Sequence, residues 1–330
     1  MKPRQPLRRR LLCGLMGSAL GMPALVRAAP AYPQRPVTLV SPFPAGGATD
    51  LVARVLGQKL ARALGQPFVV DNRAGATGLI GETAVLRARP DGHTLLIASN
   101  SSHVIAPLLQ ARRPFHPSQD FAPITQLGRY PLALTVAADS PLRTLADLLE
   151  QARKAPGVLN VGSVGQGSVT HLAGEQFALQ AGIRLTHVPY KGTAALTTAL
   201  LGGEIQLRFD SVGSTRPLVE GGRVRVLAVT GPQRSPLLPQ VPTLGEAGVP
   251  GVDAQVWVGA LAPRDTPQAI VELLGARMRG LLQTDADVAR VLADNGMQAL
   301  GPQGADFSRA IDQESAQWSD LLRRIGLSAT

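Results

Sequence analysis

Four short stretches of the sequence join glycines and hydroxyl residues to the expected start of a helix or the end of a strand, and binding chemistry would concentrate there. The first is Ser41-Pro42-Phe43-Pro44-Ala45-Gly46-Gly47-Ala48-Thr49-Asp50. Residues without bulky side chains let successive backbone N–H groups face one point, and a helix beginning there adds partial positive charge. The turn through Phe43, Ala45, Gly46 and Gly47 can therefore hold an anion. Asp50 would repel an anion placed beside it and reads as the helix cap or as a holder of water behind the turn. The stretch Gly162-Ser163-Val164-Gly165-Gln166-Gly167-Ser168-Val169-Thr170-His171 repeats the design, and Pro189-Tyr190-Lys191-Gly192-Thr193 and Ser99-Asn100-Ser101-Ser102 add two more polar turns. Lys191 reads equally as a source of charge, a solvated lysine or one half of a structural ion pair. Together the four turns suit reversible capture of a small anion in a cleft.

Signatures of catalysis are absent from the sequence. It has no G-x-S-x-G turn, no P-loop and no H-E-x-x-H, and Gly165-x-Gly167 lacks the third glycine of a dinucleotide fingerprint. His93, His103, His116, His171 and His187 lack metal-ligand spacing and have no cysteine to help them. A Ser168-His171-Asp210 triple can be picked out, but such triples arise by chance in any chain of this length. No enzyme activity, metal or cofactor is expected.

The elements that must carry these turns alternate. Strand-like runs occur at 37–40, 68–70, 95–98, 158–161, 185–188, 205–209 and 224–229, and the apolar face Leu51, Val52, Val55, Leu56, Leu60, Leu64 marks a helix after the first turn. Further helical patterns lie around 78–89, 144–154, 170–181, 193–201 and 214–220, and 267–325 is almost wholly helical in pattern. This implies an α/β protein with mainly parallel sheets and its functional loops at strand C-termini. Two apolar stretches, 131–138 and 254–262, break the pattern where a chain would cross between two lobes. The expected division is lobe 1 over 29–132 with 252–330, and lobe 2, inserted, over 133–251, with the ligand cleft between them.

Of the 330 residues, 45% are hydrophobic, 17% charged and 4% aromatic, a globular composition with little material for base stacking or an aromatic cage. The net charge of +10 is concentrated at the start: six of the 33 basic residues lie in the first 28, which hold no acid, leaving 27 basic against 23 acidic residues, or +4. Nucleic acid is therefore not an expected partner. Arg8-Arg9-Arg10, the apolar run Leu11 to Leu20 and the small-x-small site Val26-Arg27-Ala28 read as a cleavable export signal over 1–28, by the Sec or the twin-arginine route. Cleavage would remove Cys13, the only cysteine, so a chain starting at Ala29 would carry no disulfide. A periplasmic protein is expected.

At these turns the sequence resembles the Bug/TctC-type family, the periplasmic substrate-binding receptors of tripartite tricarboxylate transporters. The resemblance runs from Tyr32-Pro33-Gln34-Arg35-Pro36 to Gly326 and includes the stretches 42–50, Asp71-Asn72-Arg73-Ala74-Gly75, Pro90-Asp91-Gly92-His93-Thr94, 162–168 and His187-Val188-Pro189-Tyr190-Lys191-Gly192. It implies two α/β lobes of the type II periplasmic binding protein kind, closing like a Venus flytrap on a carboxylate held by backbone N–H groups, hydroxyls and water. Carried over, the first lobe would contribute Phe43, Ala45, Gly47, Asp50, Ser99 and Asn100. The second would contribute Ser163, Gly165, Ser168, Thr170, Lys191 and Asp210. The implied partners are a small carboxylate (a di- or tricarboxylate, an aromatic carboxylate or an acidic amino acid) and membrane transporter subunits, with the receptor itself a monomer.

Overall fold

A computed structural model describes residues 32–327; the export signal expected over 1–28, Cys13 included, lies outside the described residues. In chain order the elements are β1 (Val37–Ser41), α1 (Ala48–Leu64), β2 (Phe68–Asn72), α2 (Leu79–Leu86), β3 (Thr94–Ser99), a wide helical turn over Ser101–Ile105 that runs into α3 (Ala106–Leu108), β4 (Phe121–Ala137), α4 (Leu145–Lys154), β5 (Asn160–Ser163) and α5 (Val169–Ala181). They continue with β6 (Thr186–Pro189), α6 (Thr193–Leu201), β7 (Leu207–Ser211), α7 (Val212–Glu220), β8 (Val224–Val229), β9 (Gln255–Pro263), α8 (Gln268–Thr284), α9 (Ala286–Asp294), β10 (Gln298–Ala299) and α10 (Ala305–Arg324).

The strands form one continuous sheet in the order β2-β1-β3-β9-β4-β7-β5-β6, with β8 and β10 also on β4. Its two halves meet inside β4. Residues 121–131 of β4 pair with β9, and residues 132–137 pair with β7 on one side and β8 on the other. The pairings β1·β2, β1·β3, β5·β6 and β5·β7 are parallel. The remaining five are antiparallel, and every one of them involves β4 or β9. The expectation of mainly parallel sheets is thus corrected: βα units build the outer parts, while the two long crossing strands run against their neighbours.

Local sequence explains the outer units. In α1 the side chains of Val52, Ala53, Leu56 and Leu60, spaced by three and four residues, are buried on one face against the sheet, where Val37 and Leu39 of β1 are fully buried. Gly57 on that face lets the helix approach β2, since a Cβ there would stand 3.0 Å from the Phe68 carbonyl. The helix ends at Gly65, whose φ of 73° suits a left-handed cap, with its N–H on the Ala61 carbonyl at 3.0 Å. The crossing is tied by Thr230. Its N–H bonds the Leu132 carbonyl (2.8 Å), and its hydroxyl accepts from Leu132 N–H (2.8 Å) and donates to Ala254 O (2.7 Å). The segment 267–325 is mostly helical (α8, α9 and α10), broken by the non-helical stretch 295–304 that contains β10, which pairs with β4.

Candidate functional site

The C-terminal ends of β1, β3, β5, β6 and β7 lead into the polar turns, so the sheet order places those from one half opposite those from the other. In the first turn Gly46 has a φ of 87°, a conformation that requires glycine, and the N-cap of α1 is Gly47, which offers no side chain to the first N–H groups of the helix. Pro44, Ala45, Gly46 and Gly47 are exposed, and Phe43 is half-buried. The turn is held from behind. Asp50, 1% exposed, accepts from Gly46 N–H (2.9 Å) and Arg54 Nε (2.9 Å) on Oδ2 and from Asn72 Nδ2 (2.9 Å) on Oδ1. Asn72 also donates to Phe43 O at 3.1 Å. Burial alone would raise the Asp50 carboxyl; the donors from Arg54, Gly46 and Asn72 outweigh it and hold the group below the usual carboxylate range. Asp50 is therefore neither the cap nor an open ligand group: its charge draws in the Gly46 N–H and fixes a turn whose residues 44–47 stay exposed.

Ser99 and Asn100, at the end of β3, are buried. The Asn100 amide donates to Gln255 O (2.8 Å) and Glu314 Oε1 (2.6 Å), and its Oδ1 has no hydrogen-bond partner among the described residues. Glu314 of α10 also accepts from Trp257 and Trp318. The Asn100 donors are thus engaged in joining β3, β9 and α10, and only its carbonyl oxygen is unused.

In the second half Ser168 caps α5, accepting His171 N–H (3.2 Å), donating to Gly165 O (2.6 Å) and sharing a 2.8 Å contact with the Thr170 hydroxyl, which accepts from Val164 N–H (3.1 Å). Ser163 Oγ accepts from Gly165 N–H (3.2 Å) and meets His187 Nε2 at 2.7 Å. Gly165 adopts a φ of 146° with open space where a Cβ would be. The hydroxyls expected to meet a ligand are thus also the scaffold of their own turn. His171 and His187 stack behind it with centroids 3.6 Å apart, and burial together with the neighbouring ring lowers His187 to about 4. His171 Nδ1 accepts from Gly167 N–H (3.1 Å) and its Nε2 lies 3.5 Å from Glu175, so no Ser168-His171-Asp210 relay is assembled.

Lys191 is exposed and has no carboxylate partner among the described residues. Asp210, 3% exposed at the end of β7, accepts from Ser211 N–H (2.8 Å) and lies 3.4 Å from the guanidinium of Arg208, which is fully buried and donates to Thr197 at 2.5 Å. Burial pushes Asp210 above the usual carboxylate range, with Arg208 pulling against it. Sequence reasoning passed over Arg54, Asn72 and Arg208. The i,i+4 spacing of Asp50 with Arg54 and the i,i+2 spacing of Arg208 with Asp210 are the signals that mark the two arginines, whereas Asn72 reaches Asp50 from β2, 22 residues away.

With this geometry in view, the chain matches the tripartite tricarboxylate transporter family receptor (TctC) over residues 52–327. It is similar to a Rhodopseudomonas palustris protein, Rpa4515, solved with adipate: 36% identity, TM-score 0.84, covering 90% of this chain and 99% of that one. It is similar to the periplasmic binding protein BugD (32% identity, TM-score 0.80, 90% and 99% covered). It also resembles MatC of R. palustris, solved with bound malate (32% identity, TM-score 0.78, 88% and 100% covered). The chain belongs to this TctC/Bug family of periplasmic solute-binding receptors, which has a mixed α/β periplasmic binding protein fold and is a receptor family, not an enzyme family.

Proposed function

We propose that the chain is an exported receptor that captures a small carboxylate between two lobes, 29–132 with 252–330 and 133–251, and presents it to the membrane subunits of a tripartite tricarboxylate-type transporter or to a signalling partner. The observation that carries this reading is the first turn: glycine at the N-cap of a 17-residue helix, exposed residues 44–47, and a buried Asp50 that braces the turn through Gly46 N–H. Such a turn stabilises an anion through neutral donors and a helix dipole, which allows release as well as capture. The second lobe would add Ser163, Gly165, Ser168 and Thr170, with Lys191 at the rim and Asp210 beneath. The adipate and malate in the relatives' structures support a dicarboxylate as the cargo. The receptor would act as a monomer, reach the periplasm by cleavage of residues 1–28, and need no nucleic acid.

The test is thermal unfolding of the chain from Ala29 onward against mono-, di- and tricarboxylates, acidic amino acids and phosphate. A ligand at a hundred times its Kd stabilises the native state by about 2.7 kcal/mol and raises the midpoint. The expected result is a shift with one carboxylate class; a shift only with phosphate or a neutral solute would overturn the carboxylate assignment.

A further inference from the structure

The turn before α5 touches three residues that belong to the other half of the sheet. Ser168 satisfies His171 N–H, the third of the helix, and the first N–H, that of Val169, is accepted by Ser101 Oγ at 3.2 Å, from the wide turn after β3. The N-terminus of α5 is thus capped by one serine from each half. Next to it, Gly167 (φ 74°) has Cδ1 of Leu109 2.1 Å from where its own Cβ would stand, so the leucine side chain packs directly on the bare backbone of residue 167. The Thr77 hydroxyl donates to Gln166 O at 3.4 Å.

Thr77 reaches that carbonyl from an unusual backbone. Gly75, Ala76, Thr77 and Gly78 take φ values of 130°, 49°, 53° and 95° in succession, two of them on residues that carry a Cβ. Left-handed alanine and threonine persist only where the surroundings over-determine them. Here Gly78 is pressed onto Ser102 and Pro42, with no room for a side chain, and so the segment is pinned to the turns after β3 and β1. A strained segment held in this way and aimed across the gap is a structural contact between the halves.

We propose that Ser101, with Leu109 and Thr77 beside it, forms a clasp on the α5 turn that sets how long the cleft stays closed. This rests on the two-lobed receptor reading. When the halves part, Val169 N–H and Ser101 Oγ both return to water, so the bond favours closure without adding to the stability of either half. Both partners are atoms of the chain, so the ligand-free protein populates the closed form as well.

The clasp can be cut from either side. Ser101→Ala removes the acceptor. Val169→Pro removes the donor at the first helical position, where proline is well tolerated and where the extended backbone of Ser168 (φ −77°, ψ 161°) already suits a following proline. Spin labels at Arg87→Cys and Thr198→Cys, both exposed and on opposite halves, report the separation in a chain from Ala29 onward that has no other cysteine. The native chain is expected to show a short-distance population that grows with adipate. Each variant is expected to shift it to longer distances and to weaken adipate binding about three- to tenfold, the net effect of one hydrogen bond, with the double variant no worse than the stronger single. Distance distributions unchanged in both variants, or a ligand-free native chain with no short-distance population, would overturn the clasp. Adipate that fails to bind, with the distances shifting as expected, would instead count against adipate as cargo and leave the clasp standing.

Discussion

Asp210 and Arg208 lie on the same face of β7 with their charged ends 3.4 Å apart, and at 3% and 0% exposure neither has water to fall back on. Breaking a buried pair by removing one partner costs about 3–5 kcal/mol, because the other is left as an uncompensated charge. The two single variants should nevertheless differ. Asp210→Asn strands a guanidinium that cannot lose its proton, so its cost should be the same at pH 5 and pH 7. Arg208→Met strands a carboxyl already pushed upward by burial, which can take up a proton, so its cost should shrink as the pH falls. The double variant Arg208→Met/Asp210→Asn removes both charges and should fall within about 1 kcal/mol of the native chain. Thermal unfolding of the four proteins at both pH values measures this. At on the order of 2 °C per kcal/mol for a chain of this size, each single variant should lose roughly 6–10 °C at pH 7. Single variants that lose less than about 2 °C, or a double variant equal to the sum of its singles, would show that the pair does not bear on stability in this way.

Gly47→Val should abolish ligand binding and leave the unfolding midpoint of the free chain nearly unchanged: its φ of −79° suits any residue, and a Cβ there meets only Pro44 O at 3.8 Å, so the side chain enters the anion turn without striking the core. Normal binding by this variant would remove the turn from the site. Asp50→Ala should weaken binding through loosening of Phe43–Gly47 and cost about 1–3 kcal/mol in urea unfolding, since it leaves Asn72 and Gly46 donors without their acceptor. The folded pKa of His187, about 4, lies below its ordinary 6.5, so the folded state binds fewer protons there; its contribution to stability is in place above about 6.5 and is lost as pH falls from there to about 4. Its ring faces His171, Ser163 and, farther off, Glu175. His187→Gln should flatten the fall of the midpoint over that window, and parallel curves would refute the assignment.

The outer βα units were legible because their patterns are local. The helix expected over 193–201 is α6 with the same ends, and the strand at 224–229 is β8. What was not legible depends on neighbours distant in sequence. The apolar pattern places the start of the first crossing at 131, but β4 begins at Phe121. Its early part carries Pro123 and Gly128, and the register slips between Pro123 and Thr125 and again between Gln126 and Gly128, which destroys the alternation that marks a strand. The helical segment 101–108 opens with Ser-Ser-His, poor helix formers; its side chains are all buried, which means that packing decides its form. At the site, residue types pointed to the turns, and Gly46 and Gly165 take the conformations that glycine allows. The left-handed backbone of Ala76 and Thr77, by contrast, leaves no mark in residue type, since it is imposed by the pinned Gly78 beside it.

The Thr230 tie has a practical consequence for engineering. Exchanging the second half of the sheet between two relatives, to graft one receptor's selectivity onto another, requires two seams, and β4 dictates where they fall. Its residues 132–137 form the spine of the second half, between β7 and β8, so the first seam belongs at 131/132. The returning seam belongs at 254/255, just before β9. Thr230 bonds a residue beside each seam, Leu132 and Ala254, and all three travel together in the 132–254 cassette. A chimaera cut this way keeps the joint intact in one parent's sequence, whereas a cut that separates Thr230 from either partner would divide the joint between two proteins that never shaped it together.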